Sequence, residues 1–157
     1  LNSKNLFDQN GNIAKSGNIN QLVLNQALDI FLNSNLYKKR SYDIKDFDLS
    51  FARGLSLEDG AATLTEFTAE IISKKITINN IYACGGGRKN QYLIERIEEK
   101  IKTRIHIIEE LNLDGDFIES KAFAFLAIRS KLNLPITFPE TTGCKKSTLG
   151  GIIVNNY

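Results

Sequence analysis

The sequence contains no methionine and no tryptophan, and it has only two cysteines, two prolines and one histidine among its 157 residues. Cys84 and Cys144 lie far apart, and neither belongs to a C-x-x-C pair. With His106 as the single histidine, the chain has too few ligands for a zinc site. Two unpaired thiols are typical of a protein in the reducing cytosol, so we expect a cytoplasmic location.

Strong charge and long apolar runs are also lacking. The 20 basic and 18 acidic side chains give a formal net charge of +2, with the two signs interleaved. This balance favours neither a nucleic acid nor an anionic membrane as a partner. No apolar run approaches the roughly 18 residues that span a bilayer. At 42% hydrophobic and 24% charged residues, the composition fits one globular domain or one lobe of a larger protein.

The chain begins at Leu1 rather than at a methionine. Trimming of an initiator methionine normally needs a small second residue, and leucine is not small. A cleaved signal peptide would be the other explanation, and it would imply secretion. We therefore expect these residues to be the C-terminal part of a longer protein.

The apolar spacing in the first half of the chain predicts two amphipathic helices. Asn20 is the predicted N-cap of the first, whose apolar residues recur at helical spacing. Ser56 is the predicted N-cap of the second, which should run to about Lys75. A charged and aromatic connector without a clear period separates them.

The second half of the chain predicts alternating strands and helices. Residues 78–84 form a predicted buried strand that stops at three glycines, and Asn90 can cap the helix that follows. Residues 105–108 form a second predicted strand, with His106 on its alternate, solvent-facing side. Residues 116–131 predict a helix that is apolar nearly all round and should be largely buried. This order predicts an α/β fold with at least one right-handed β-α-β crossover.

The strongest candidate site is the glycine turn, defined here as Gly85, Gly86 and Gly87. Ligands of open α/β sheets bind at the carboxyl ends of strands, where bare backbone amides allow a phosphate or a planar base to approach. A sharp strand-to-helix corner that binds nothing explains the glycines equally well. Spacing excludes two known loops, because Asn90 replaces the third glycine of a dinucleotide loop and Phe138 the first glycine of a Walker A loop.

A second candidate site is the acidic start of the long apolar helix. Asp114 and Asp116 are placed to cap this helix and to offset its dipole. Glu119 lies one turn into the apolar helix, where a carboxylate needs a partner or a ligand hydroxyl. A binding role and a structural role for Glu119 both stay open on these grounds.

Several ordered segments resemble the anhydro-N-acetylmuramic acid kinase family. They are FDQNGNIAKSG at 7–17, DGAATLTEFTA at 59–69, CGGGRKN at 84–90, GDFIESKAFAFLAIR at 115–129, and the TG and LG pairs at 142–143 and 149–150. The corresponding family patterns include D-x-x-A-T-L-T-E-x-T-A, G-G-G-x-x-N and G-D-x-x-E-A-x-A-F-A-x-L-A. The chain departs from the family at residues 39–44, where P-K-S-T-G-R is usual, and at Ser120, where alanine is usual.

The resemblance implies that residues 1–157 form the C-terminal lobe of an actin-like ATPase or sugar-kinase fold, with a mixed sheet flanked by helices. The complete enzyme of such a family uses ATP, Mg²⁺ and water to convert 1,6-anhydro-N-acetylmuramic acid to N-acetylmuramic acid 6-phosphate in cell-wall recycling. By the same resemblance, Glu119 would accept a hydrogen bond from a hydroxyl group of the sugar. The nucleotide would be held by Gly85, Gly86, Gly87 and Asn90.

The family's phosphate-binding turn and general-base aspartate would lie upstream of residue 1, so we expect no catalytic residue here and no kinase activity from the chain alone. The implied partners are the anhydro-sugar, an N-terminal lobe or separately encoded half, and a second copy in a homodimer. A non-catalytic nucleotide-binding lobe, a remnant of a decayed kinase gene and a structural domain that binds nothing are the alternatives.

Overall fold

The computed structural model describes residues 7–38 and 42–154; residues 39–41, which belong to the segment that departs from the family pattern, lie outside this range. The helices and strands are α1 (Asn12–Ser16), α2 (Gln21–Asn33), α3 (Leu57–Lys75), β1 (Ile81–Ala83), α4 (Gln91–Ile101), β2 (Ile105–Ile107), α5 (Ile118–Lys131) and α6 (Pro139–Thr142). Short 3₁₀ turns join several of them, including Gly86–Lys89 and Ile108–Leu111.

The three predicted N-caps are confirmed. The side chains of Asn20, Ser56 and Asn90 each accept a hydrogen bond from the backbone N–H three residues later, at 3.1, 3.1 and 3.0 Å. These bonds satisfy backbone donors that the first helical turn leaves without an intrahelical partner. Helices α2, α3 and α4 therefore begin at the residues that follow the predicted caps.

Helix α3 lies between two apolar clusters that form the core. Phe67 and Ile71 of α3 pack against α2 with Phe31, whose ring meets that of Phe67 edge-on at 6.2 Å. Ala69, on another side of α3, packs against α4 and β2. The position of α4, and of the turn that leads into it, is therefore set by packing on α3.

The sheet confirms an α/β fold with a β-α-β unit. Strands β1 and β2 pair in parallel, with α4 as the crossover between them. Within the described ranges the sheet is wholly parallel and has two strands, so it is not the mixed sheet that we expected; the antiparallel pairing of Thr137 with Thr148 is an isolated bridge. Each strand is three residues long and is paired along its whole length, so β1 is shorter than the predicted 78–84, and β2 ends one residue before the predicted 108.

Helix α5 forms as predicted, but the prediction that it is largely buried is wrong. Phe123, Phe125 and Ile128 expose more than half of their surfaces, and no residue of α5 belongs to either core cluster. A helix that is apolar on all sides needs neighbours on all sides, and the described residues supply few. None of the helices within residues 7–38 and 42–154 is long and apolar enough to cross a membrane.

Candidate functional site

The glycine turn lies directly after β1 and leads into α4, as the sequence predicts. Gly85 has φ 74°, a backbone conformation that glycine adopts without strain. Gly86 and Gly87 do not have positive φ, and a Cβ built on any of the three glycines would meet no atom within 4 Å. Neither backbone geometry nor packing among the described residues therefore requires glycine at positions 86 and 87.

A cavity of about 320 Å³ lies beside the turn, and its lining includes the last residues of both parallel strands as well as Ile105 at the start of β2. Ala83 ends β1 and Ile107 ends β2, and both line the cavity together with Ile94. Arg88 and Lys89 contribute basic groups to the same lining. The cavity is at the edge where open α/β sheets bind ligands, and it combines apolar walls with two basic side chains.

Arg88 links the glycine turn to the β2–α5 loop, defined here as residues 108–117. Its Nη1 donates to the carbonyl of Gly85 and to Oδ1 of Asp116, both at 2.8 Å. Its Nε and Nη2 donate to Oε1 of Glu109 at 2.8 and 2.6 Å. A main-chain bond from the Gly85 N–H to the Gly115 carbonyl, at 3.1 Å, makes the same connection. The glycine turn and the β2–α5 loop are therefore joined by both side-chain and main-chain hydrogen bonds.

The basic side chains of the turn lower the pKa values of the carboxylates that face them. Hydrogen bonds from Arg88 and then from Lys89 lower the pKa of Asp116 to about 2. The hydrogen bond from Arg88 also lowers the pKa of Glu109. Both carboxylates are therefore ionised at neutral pH and stay paired with the guanidinium. The second oxygen of Glu109, Oε2, is buried and has no hydrogen-bond partner among the described residues.

The structure corrects the predicted role of the two aspartates before α5. The helix begins at Ile118, two residues later than predicted, and its N-cap position, Phe117, makes no side-chain capping bond. Asp116 instead pairs with Arg88 and Lys89, while Oδ1 of Asp114 accepts the Asp116 N–H at 2.9 Å. Asp116 therefore connects the start of α5 to the glycine turn, and it does not cap the helix.

Glu119 lies in the first turn of α5, and its side chain is exposed. The sequence argument required a partner for it because the helix around it was expected to be buried, and that premise is wrong. Among the described residues Glu119 makes no hydrogen bond or ion pair, which leaves its carboxylate open to solvent. Its role in sugar binding stays a prediction.

Asn90 has a clear structural role at the start of α4. Besides capping the helix, it packs against Gly11, where φ is 75° and an added Cβ would overlap the Asn90 side chain and Tyr92. The segment at 7–17 therefore depends on a glycine that lies against Asn90. A contact between Asn90 and a nucleotide stays a prediction.

His106 is half-buried, and its side chain keeps 32% of its surface exposed, so the prediction that it faces solvent is confirmed only in part. The parallel register places it opposite Tyr82, and the two rings lie 5.4 Å apart. Its Nδ1 is 2.7 Å from Oε2 of Glu110, and this hydrogen bond lowers the pKa of Glu110. The alternation of side chains along a strand indicates which face of the sheet a residue occupies, but it does not indicate which groups cover that face.

The segment at 59–69 positions neighbouring parts of the chain. Oδ1 of Asp59 accepts the Asn18 N–H at 2.7 Å, and Oγ1 of the fully buried Thr63 accepts the Asn20 N–H at 3.0 Å. Glu66, which is also buried, pairs with two basic residues of α4. Sequence reasoning missed these roles, although three polar residues on the buried side of a helix were a signal for them.

Within the described part of the chain, no group of three or more His, Cys, Asp or Glu side chains could hold a metal ion. Arg88 and Glu109, which sequence reasoning also missed, give the site its most extensive hydrogen-bond network. The only sequence signal for this network was the basic pair that follows the glycines and the acidic pair that begins with Glu109, 21 positions after Arg88.

Fold and site together define an α/β protein with an open glycine turn and a cavity at the carboxyl edge of a parallel sheet. The profile of the family described as "Anhydro-N-acetylmuramic acid kinase" matches residues 2–156. The chain therefore belongs to this family.

Curated relatives with the same description agree with this assignment. A protein of Pelagibacter ubique is 49% identical over 96% of this chain and 43% of its own length. Proteins of Zymomonas mobilis and Caulobacter vibrioides are 36% and 37% identical, each over 94% of this chain and 41% of their own length. The chain thus spans about two fifths of the length of these relatives.

Proposed function

We propose that this chain is the C-terminal lobe of a kinase that uses ATP and water to convert 1,6-anhydro-N-acetylmuramic acid to N-acetylmuramic acid 6-phosphate, and that the glycine turn binds the nucleotide. The observation behind the second part is the openness of Gly86 and Gly87. Neither φ nor packing requires glycine at these two positions. The explanation that fits best is that the missing side chains let a ligand approach the main chain closely. Family membership supports the substrate class.

The described residues fit the chemistry of a nucleotide. Backbone amides of an open turn can donate to phosphate oxygens, and the side chain of Lys89 is 60% exposed beside them. The walls formed by Ala83, Ile94 and Ile107 suit a flat, largely apolar base. These features support binding of the phosphates at the turn and of the base beside the strand ends.

Mg²⁺ would bind mainly through the nucleotide. This ion keeps several waters and usually takes one or two carboxylates plus phosphate oxygens, and a cage of protein ligands is not needed. When bound, Mg-ATP supplies the phosphoryl group, and the ion neutralises charge on the phosphates. The described residues would hold and orient the nucleotide, while the general base would lie outside this chain.

Glu119 is the proposed sugar contact. Its exposed carboxylate has no partner among the described residues, so it can accept a hydrogen bond from a hydroxyl group. Asp116, three residues earlier, is held to the glycine turn by Arg88. This connection supports a site in which nucleotide and sugar are positioned relative to each other, which is the main requirement of phosphoryl transfer.

The test is thermal unfolding of the chain with and without millimolar Mg-ADP. A ligand at 100 times its Kd adds roughly 2.7 kcal/mol, which moves the midpoint of a chain this long by several degrees. We expect a shift in the unaltered chain that Gly86→Val abolishes. Because the space around Gly86 is open, this variant should fold normally.

The matched control is Gly60→Ala. Gly60 is in α3, and an added Cβ there would make only ordinary contacts at 3.9 Å. This variant should keep the full response to Mg-ADP. Cooperative unfolding of the unaltered chain with no shift would contradict nucleotide binding at the turn, as would an equal shift in Gly86→Val.

A further inference from the structure

We infer that Arg88 is a positioning residue, which fixes the glycine turn against the β2–α5 loop and thereby sets the spacing between the turn and Glu119. The inference rests on the proposed function of the turn. An arginine directly after a phosphate-binding turn would ordinarily be expected to contact phosphate. The contacts of Arg88 point to a different role.

The guanidinium of Arg88 is already occupied. It has five N–H donors, and it makes two hydrogen bonds to Glu109, one to Asp116 and one to the Gly85 carbonyl. Its side chain is 8% exposed. Because one donor is left over and the side chain is largely buried, a phosphate could take more than one hydrogen bond from Arg88 only by displacing these partners, whereas Lys89 is exposed and has one carboxylate partner, Asp116.

The partners of Arg88 lie in the glycine turn and at the two ends of the β2–α5 loop. Gly85 is in the glycine turn, Glu109 follows β2, and Asp116 precedes α5. A guanidinium is planar and its donors form a rigid fork, so it fixes the relative positions of the groups that it binds. The turn cannot move away from the loop unless several of these bonds break together.

The position of the start of α5 depends on this connection. No residue of α5 belongs to either core cluster, so apolar packing on the core does not fix the helix. Asp116 pairs with Arg88 and Lys89, and the Gly115 carbonyl accepts the Gly85 N–H. Glu119 follows within one turn, and its position relative to the glycine turn therefore depends on Arg88.

Gly115 gives a second, independent way to change the same contact. It is buried, and an added Cβ would lie 2.5 Å from Nε of Arg88 and 2.8 Å from Oε1 of Glu109. A Cβ carbon cannot lie so close to a nitrogen or oxygen to which it is not bonded, so Gly115→Ala should push the guanidinium out of place. Arg88→Met removes the guanidinium and keeps most of the aliphatic stem.

The experiment compares binding of Mg-ADP by titration calorimetry in the 157-residue chain and its variants. Arg88→Met should weaken binding on the order of tenfold, because the turn must then be ordered when the ligand binds. Arg88→Lys should restore part of the affinity, since an ammonium can still reach one or two of the same acceptors. The matched control is Arg104→Met, which removes an exposed arginine paired with Glu110 and should bind as the unaltered chain does.

Two further readouts separate positioning from a general loss of structure. Hydrogen exchange of the Gly85 amide, measured without ligand, should accelerate in Arg88→Met and not in Arg104→Met. Arg88→Met and Gly115→Ala should be non-additive in the double variant, because both disrupt one contact. If Arg88→Met does not fold, Arg88→Lys and Gly115→Ala provide the same comparison.

The outcomes distinguish this inference from the proposed function. Failure of the unaltered chain to bind Mg-ADP would overturn the nucleotide site and the role of Arg88 with it. Binding by the unaltered chain that is equally tight in Arg88→Met and Gly115→Ala would overturn the role of Arg88 alone. Weakened binding with faster Gly85 exchange and partial rescue by lysine would support both.

Discussion

Glu66 of α3 accepts hydrogen bonds from Arg96 of α4 through both carboxylate oxygens, at 2.7 Å from Nε and 3.0 Å from Nη2. Lys100, one turn further along α4, donates to Oε1 of Glu66 at 2.5 Å. The side chain of Glu66 is 7% exposed. Burial by itself would raise the pKa of Glu66, but the hydrogen bonds from Arg96 and Lys100 outweigh it and lower the pKa. This ion cluster holds α3 against the helix that follows the glycine turn.

Glu66→Gln should lower the free energy of unfolding by about 2 to 3 kcal/mol, because it removes one partner of a buried ion cluster. This loss is smaller than the loss expected when a buried charge is left without any partner, since Glu99 still pairs with Arg96 and Glu70 with Lys100. Urea unfolding of the variant and the unaltered chain measures the difference in free energy. Glu99→Gln is the control, because it removes an exposed partner of the same arginine and should cost about 0 to 1 kcal/mol. Equal losses in the two variants would contradict the assignment.

The lowered pKa of Glu66 predicts a dependence of stability on pH. Because the pKa in the folded chain lies below that in the unfolded chain, the carboxylate contributes stability that is fully present above the unfolded value. This stability is lost as the pH falls through the folded value. Unfolding followed between about pH 6 and about pH 3 should show a steeper loss in the unaltered chain than in Glu66→Gln. Parallel curves would be inconsistent with this contribution.

Gly11→Ala should destabilise the chain by roughly 1 to 3 kcal/mol, because φ is 75° there and the new Cβ would overlap Asn90 and Tyr92. Gly86→Ala serves as the control, since its Cβ would enter open space and should change stability by less than about 0.5 kcal/mol. Thermal unfolding of both variants provides the comparison. If the Gly11→Ala variant were as stable as the unaltered chain, the segment at 7–17 would not pack on α4 as described.

Phe67→Ala should cost about 3 to 5 kcal/mol, because the ring is buried between α2 and α3. Phe123→Ala, in α5, should cost less than about 1 kcal/mol, because that ring is 65% exposed. Denaturant midpoints at a fixed protein concentration measure both. A large loss in Phe123→Ala would instead favour the buried helix that the composition of α5 predicts.

The isolated chain should not phosphorylate 1,6-anhydro-N-acetylmuramic acid. Phosphoryl transfer needs the phosphates, the acceptor and a base positioned together, and the resemblance assigns a further phosphate-binding turn, that of the N-terminal lobe, and the base to residues outside this chain. Incubation of the purified chain with Mg-ATP and the anhydro-sugar, followed by mass spectrometry, tests this. Formation of N-acetylmuramic acid 6-phosphate would overturn the prediction.

The sequence by itself determined the local features of this protein. Asn20, Ser56 and Asn90 cap helices because a short polar side chain reaches the backbone N–H three residues on, whatever the rest of the fold does. The family motifs and the glycine turn were equally evident from residues adjacent in the chain. Local periodicity also indicated the α/β order of elements.

Only the tertiary structure decided which distant groups meet. Arg88 reaches Asp116 across 28 positions, and Arg96 reaches Glu66 across 30. Hydrogen bonds between such groups depend on how helices and loops pack in space, which no local pattern encodes. The same holds for α5, because composition measures how apolar a helix is, whereas burial requires a neighbour that packs against it.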